Sequence, residues 1–110
     1  MVDWKKLKRH IPHRVQMNKN TYFEVLWVES FKDTNILGEM RLDHKQIVIK
    51  KGMSPKLTVT VFLHECCHAV SDLNNIKLTE NQIQALESSF YYLLKPGNVF
   101  SDKKGIKDEE

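Results

Sequence analysis

The residues most able to do chemistry are His64-Glu65-Cys66-Cys67-His68, an HExxH pattern. On a helix, His64 and His68 stand one turn apart on the same face, so their imidazoles can share one metal ion. Glu65 lies about 100° further round, close enough to reach a water held on that ion. Zinc accepts nitrogen ligands of this kind tetrahedrally and lowers the pKa of a bound water toward about 7, so a carboxylate can take the proton. One helical turn thus carries two ligands and a general base. In a chain of this length with five His and eight Glu, chance places the pattern roughly 0.016 times, so it is informative on its own.

A catalytic zinc needs a third protein ligand and an open position. Asp72 continues the His64–His68 line one turn along, where it is better placed to orient His68 from behind, or to sit in solvent near the helix end, than to bind. Glu80 and Glu87 are seven apart and share one face of the last helix expected from the sequence. With Ile83 as origin they fall at about 60° and about 40°, beside the apolar stripe. These positions leave both open as the third ligand. Tyr91, which continues the same stripe, Tyr22 and His44 are candidates for stabilising a developing oxyanion. Cys66 and Cys67 project away from the histidine line and read as small packing residues. His10 and His13 read as surface residues.

Positioning these groups requires a scaffold, and the rest of the chain describes one. Residues 22–31 are aromatic and β-branched and read as a strand. A weaker strand over 36–42 contains Gly38, and Gln46–Lys50 makes a third. Short turns at 32–35 and 43–45 imply an antiparallel three-stranded meander. Ser54-Pro55 has the form of a helix start, Ser as cap and Pro in the first turn. That helix should run to Leu73, with Phe62, Cys66, Ala69 and Leu73 on its buried face, and stop at Asn74-Asn75. The β-branched run Thr58-Val59-Thr60-Val61 leaves its start open. Thr79-Glu80-Asn81-Gln82 fits a capping box for a helix reaching Lys95, before Pro96-Gly97. Its apolar face is Ile83, Leu86, Phe90, Leu93 and Leu94. Trp4, Leu7 and Ile11 predict a short amphipathic helix over 3–10, ended by Pro12. The expected class is α+β: the meander, the HExxH helix, a second packing helix and a short N-terminal helix.

The chain of 110 residues fits one domain. Its organisation reads as a basic arm over 1–20, a domain over 21–98 and a charged tail over 99–110. Apolar residues make up 41% and charged ones 28%, within the range of globular proteins. No apolar run is long enough to span a bilayer, and the N-terminus lacks a signal-peptide core. Two adjacent cysteines read as reduced thiols, which places the chain in the cytoplasm. The formal charge of +3 is uneven. Lys5, Lys6, Lys8, Arg9, Arg14 and Lys19 face only Asp3 in the first twenty residues, and the remainder is slightly acidic. The arm reads first as a solvated basic surface, and second as a contact for nucleic acid or an acidic partner.

From Gly38 to about Asn98, just over half of the chain, the sequence resembles a compact zincin metallopeptidase of phages and mobile elements, similar to the ImmA/IrrE-like family. The strand Gln46–Lys50, the run from Leu63 through HExxH to Val70, and Leu78-Thr79-Glu80-Asn81-Gln82-Ile83 carry the resemblance. It implies that His64 and His68 bind zinc, that Glu65 is the general base and that a downstream Glu completes the site. Small proteins of this look point to Glu80, the broader gluzincin group to Glu87, and the Leu-Thr-Glu context favours Glu80. Of the signature of larger members only Leu93-Leu94-Lys95-Pro96 remains, so their regulatory role does not carry over. The expected function is zinc-dependent hydrolysis of a peptide or protein held along a sheet edge. The alternative is a non-catalytic protein-binding module with a structural metal.

Overall fold

The computed structural model describes residues 2–93, without the side chain of Tyr91. The charged tail expected over 99–110 and the continuation of the last helix to Lys95 lie outside the described residues. The element order is α1 (Trp4–Arg9), β1 (Arg14–Asn18), β2 (Thr21–Val28), β3 (Gly38–Arg41), β4 (Gln46–Lys50), α2 (Pro55–Leu73) and α3 (Glu80–Leu93). The class is α+β, as expected. No described helix is long and apolar enough to cross a membrane.

The sheet departs from the expected meander. It has four strands in the order β1-β2-β4-β3 and is mixed, with β2 and β4 parallel. β1 and β3 pair antiparallel on the two outer sides. The reason lies in β4. Ile47, Val48 and Ile49 are all fully shielded, which a strand achieves only between two neighbours with both faces covered. β3 is short, contains Gly38 and is half-buried throughout, which suits an edge. β4 therefore enters between β2 and β3, and the chain from 29 to 45, β3 included, is the connection that a parallel pair requires. The fourth strand, β1, lies inside the segment read as a basic arm. Its Val15 pairs with Phe23, while Arg14 sits over the Tyr22 ring, 4.4 Å from the centroid.

α2 begins as the sequence indicates. Ser54 Oγ accepts from the Leu57 N–H (3.2 Å), and Pro55 occupies the first turn. The β-branched run is helical. Thr58 and Thr60 donate their hydroxyls to Ser54 O and Lys56 O, 2.9 and 2.7 Å away, which removes their competing polar demand. Val61 and Ala69 of α2 pack with Phe23, Val25, Ile47 and Ile49 of the sheet to form the core. Phe62, Cys66 and Leu73 surround it at partial burial, so Val61 sits deeper than helical spacing suggested.

Gly38 sets how closely α2 approaches the edge strand. A Cβ at this position would overlap Val61 Cγ1 and come within 3.3 Å of Glu65 Cγ. Only hydrogen at this position lets the helix lie flat on β3. Gly38→Ala should therefore destabilise the fold by about 1–3 kcal/mol through overpacking, measured by urea denaturation. Wild-type stability in that variant would show that the helix has room to shift.

Candidate metal centre

The site is made where two helices meet. α2 contributes His64, Glu65 and His68 from consecutive turns, and α3 contributes Glu80 and Glu87. The connection between the helices brings them together. Asn75 takes a left-handed conformation (φ 54°) just past the end of α2. Ser71, buried at the last turn, hydrogen bonds through its hydroxyl to Ile76 O and accepts from the Leu78 N–H (3.4 Å). The capping box then starts α3: Thr79 Oγ1 accepts from the Gln82 N–H (3.1 Å), and Gln82 Oε1 accepts from the Thr79 N–H (2.8 Å). Glu80 is the first residue of α3 and sits beside the histidines.

His64 Nε2 and His68 Nε2 are 3.2 Å apart. Glu80 straddles them, with Oε2 3.3 Å from His64 Nε2 and Oε1 3.2 Å from His68 Nε2. His64, His68 and Glu80 thus form a cluster whose ligand atoms could hold one metal ion. Two ring nitrogens and a carboxylate that converge on one point are a donor set suited to such an ion. Glu87 takes a different place. Its Oε2 lies 3.3 Å from His64 Nδ1, on the far side of the same ring. The Glu87 side chain is 11% exposed and the Glu80 side chain 62%. Glu80 and Glu87 share a helix face, as their spacing predicted, but they reach opposite nitrogens of His64.

Glu65 is half-buried beside the cluster. Burial pushes its carboxyl above the usual range, the neighbouring His64 and His68 oppose that, and Glu80 and Glu39 add to it. A carboxyl raised in this way is a better proton acceptor than an exposed one. Burial also pushes the Cys66 thiol up to about 12, with Cys67 and Glu65 adding to the effect. Cys67 is raised by burial and by Glu87. Both are free thiols, and neither belongs to the cluster of His64, His68 and Glu80. They pack, as their positions suggested.

The other candidates lie apart from the cluster. Asp72 is exposed near the end of α2, and no hydrogen bond or ion pair among the described residues joins it to His68. His44 is exposed in the β3–β4 turn. Tyr22 is on β2 beneath Arg14. The side chain of Tyr91 lies outside the described residues. Sequence reasoning missed two contributors: Gly38, which admits α2, and Ser71, which holds the turn into α3. Gly38 was visible as an unexplained glycine within a strand.

Metal binding should stabilise this fold, because the ligands come from two helices that the unfolded chain separates. Free Zn²⁺ at 100 times its dissociation constant should raise the unfolding free energy by about 2.7 kcal/mol, read by urea denaturation of chelator-stripped protein. His68→Ala should remove the increment. A metal-independent midpoint in the wild type would show that no ion binds here.

No protein-family model, curated protein or solved structure matches this chain.

Proposed function

We propose that the protein is a zinc-dependent peptidase of zincin-like arrangement, with His64, His68 and Glu80 as the metal ligands and Glu65 as the general base. The observation that carries this reading is the convergence of Glu80 on the two Nε2 atoms, with Glu65 on the same helical turn. The separations of 3.2 and 3.3 Å are close to those between ligand atoms held tetrahedrally at about 2.0–2.1 Å from a zinc ion. Zinc at this position would act as a Lewis acid toward a peptide carbonyl and as an activator of water. The resemblance to compact phage-type zincins of the ImmA/IrrE-like family supports the same assignment, including Glu80 over Glu87.

The chain's own residues supply the remaining steps. Glu65 accepts a proton from the attacking water and passes it to the leaving amine. β3 is the edge strand beside Glu65, and Gly38 brings its backbone against the Glu65 side chain. An extended peptide paired to that edge by main-chain hydrogen bonds would run close to the Glu65 side chain. Glu39, whose charge is felt at Glu65, and Arg41 are joined by a 2.7 Å ion pair on β3 and would meet the side chains of such a substrate. The two adjacent free cysteines support a reducing compartment, and we place the protein in the cytoplasm.

Glu65→Gln keeps the size of the side chain but removes the base. Peptide hydrolysis should fall by about 10²–10⁴-fold, while metal content stays at that of the wild type. A competition assay with a fluorogenic peptide library and metal analysis of the same samples would read both quantities. Hydrolysis that survives in Glu65→Gln would remove Glu65 from the mechanism.

A further inference from the structure

Glu87 is unusual in its surroundings. It is a carboxylate on the inner side of α3, one turn from the fully buried Ile83. Its Oε2 is shielded from solvent and makes no well-aligned hydrogen bond. Its nearest partner is His64 Nδ1 at 3.3 Å. An apolar side chain would suit this helix interface better, since a buried carboxylate without a full set of partners costs stability. The position is therefore explained by what Glu87 does to His64 rather than by packing.

We infer that Glu87 is the positioning residue of the metal centre: it holds the proton of His64 on Nδ1 and so keeps the Nε2 lone pair facing His68 and Glu80. A neutral imidazole carries one N–H, and the acceptor placed behind the ring decides which nitrogen keeps it. The two histidines are not equivalent in this respect. Among the described residues, no hydrogen bond or ion pair reaches His68 Nδ1. Of the two, His64 is the one with a described partner behind its ring, and that partner comes from the helix that also delivers Glu80. With an ion held at Nε2, the His64 Nδ1–H would be a stronger donor and its contact with Glu87 would tighten. Glu80 and Glu87 thereby grip one histidine from both sides, and docking of α3 on α2 becomes part of metal binding.

The inference rests on the metal assignment above and not on peptide hydrolysis, so its test reads binding and stability. In chelator-stripped Glu87→Gln, Zn²⁺ and Co²⁺ affinity should fall by about 10–100-fold, while the thermal midpoint without metal stays equal or rises. The visible absorption of the Co²⁺ form should keep its wild-type position and intensity, because no ligand has been replaced. Glu87→Leu should show the same opposed pair of effects, with a clearer rise in the metal-free midpoint, and keeps the test available if the glutamine variant folds poorly. Glu80→Gln should lower metal affinity and alter the Co²⁺ spectrum. Unchanged affinity in Glu87→Gln would overturn the assignment of Glu87 alone. A parallel loss of metal-free stability and affinity would reduce it to a packing residue, and an altered Co²⁺ spectrum would make it a ligand. A wild-type chain that takes up no metal would overturn the metal assignment itself.

Discussion

The contact on which the other features depend is that of α2 with the sheet, where Val61 rests against Gly38 and the core residues Ile47 and Ile49. Two histidines on one helical turn define a line and a direction, but they need a rigid mount to present that direction to anything else. The mount is the apolar face of the sheet, built from Phe23 and Val25 on β2 and from the central strand β4. Because interiors pack densely, the helix has little freedom to roll about its axis. Its histidine face is consequently turned away from the sheet and toward α3. Gly38 allows the closest approach at the edge strand, and this brings Glu65 against β3.

The second requirement is a group from outside the helix, and a short connection meets it. α2 and α3 are separated by 74–79, and polar groups within and beside this connection hold it. Asn75 reverses the chain, Ser71 ties the turn to α2, and Thr79 and Gln82 close the start of α3. Since α3 begins at Glu80, its first carboxylate is placed by backbone geometry rather than by a long search of side-chain conformations. Glu87, two turns later, is placed by the same helix at greater depth. The electrostatic result is a group of carboxyls around two histidines, while burial raises the thiols of the neighbouring Cys66 and Cys67. The donors of His64, His68 and Glu80 could hold a cation that accepts nitrogen and oxygen ligands.

Much of this could be read from residues in a row. The cap at Ser54, the capping box at Thr79, the stop at Asn74-Asn75 and the strand Gln46–Lys50 are local signals, and each element forms where they place it. The HExxH spacing is local as well, since a helix converts four residues into one turn. The order of the strands was not readable in the same way. Turn residues at 32–35 and 43–45 suggest sequential antiparallel neighbours, and the parallel pairing of β2 with β4 overrides them. The apolar Ile47-Val48-Ile49 triplet was the available signal, because burial on both faces demands a central position. β1 was hidden by its charge: Arg14 and Gln16 alternate with Val15 and Met17, but the basic residues around them read as a solvated arm.

The sequence by itself therefore determined most of the local matters: where the helices and the strands β2, β3 and β4 fall, that His64, Glu65 and His68 share a turn, and that Glu80 and Glu87 share a face. Each follows from the fixed periods of 3.6 and 2 residues. The tertiary structure alone decided which carboxylate meets which nitrogen. Two side chains on one helix stripe have the same angle about its axis, but they differ in position along it. Only the docking of α3 on α2 turns that axial difference into depth. It leaves Glu80 at the exposed mouth beside both Nε2 atoms and Glu87 buried behind His64. A helical pattern carries no record of such a difference, because it arises from where the second helix begins and how closely the first lies on the sheet.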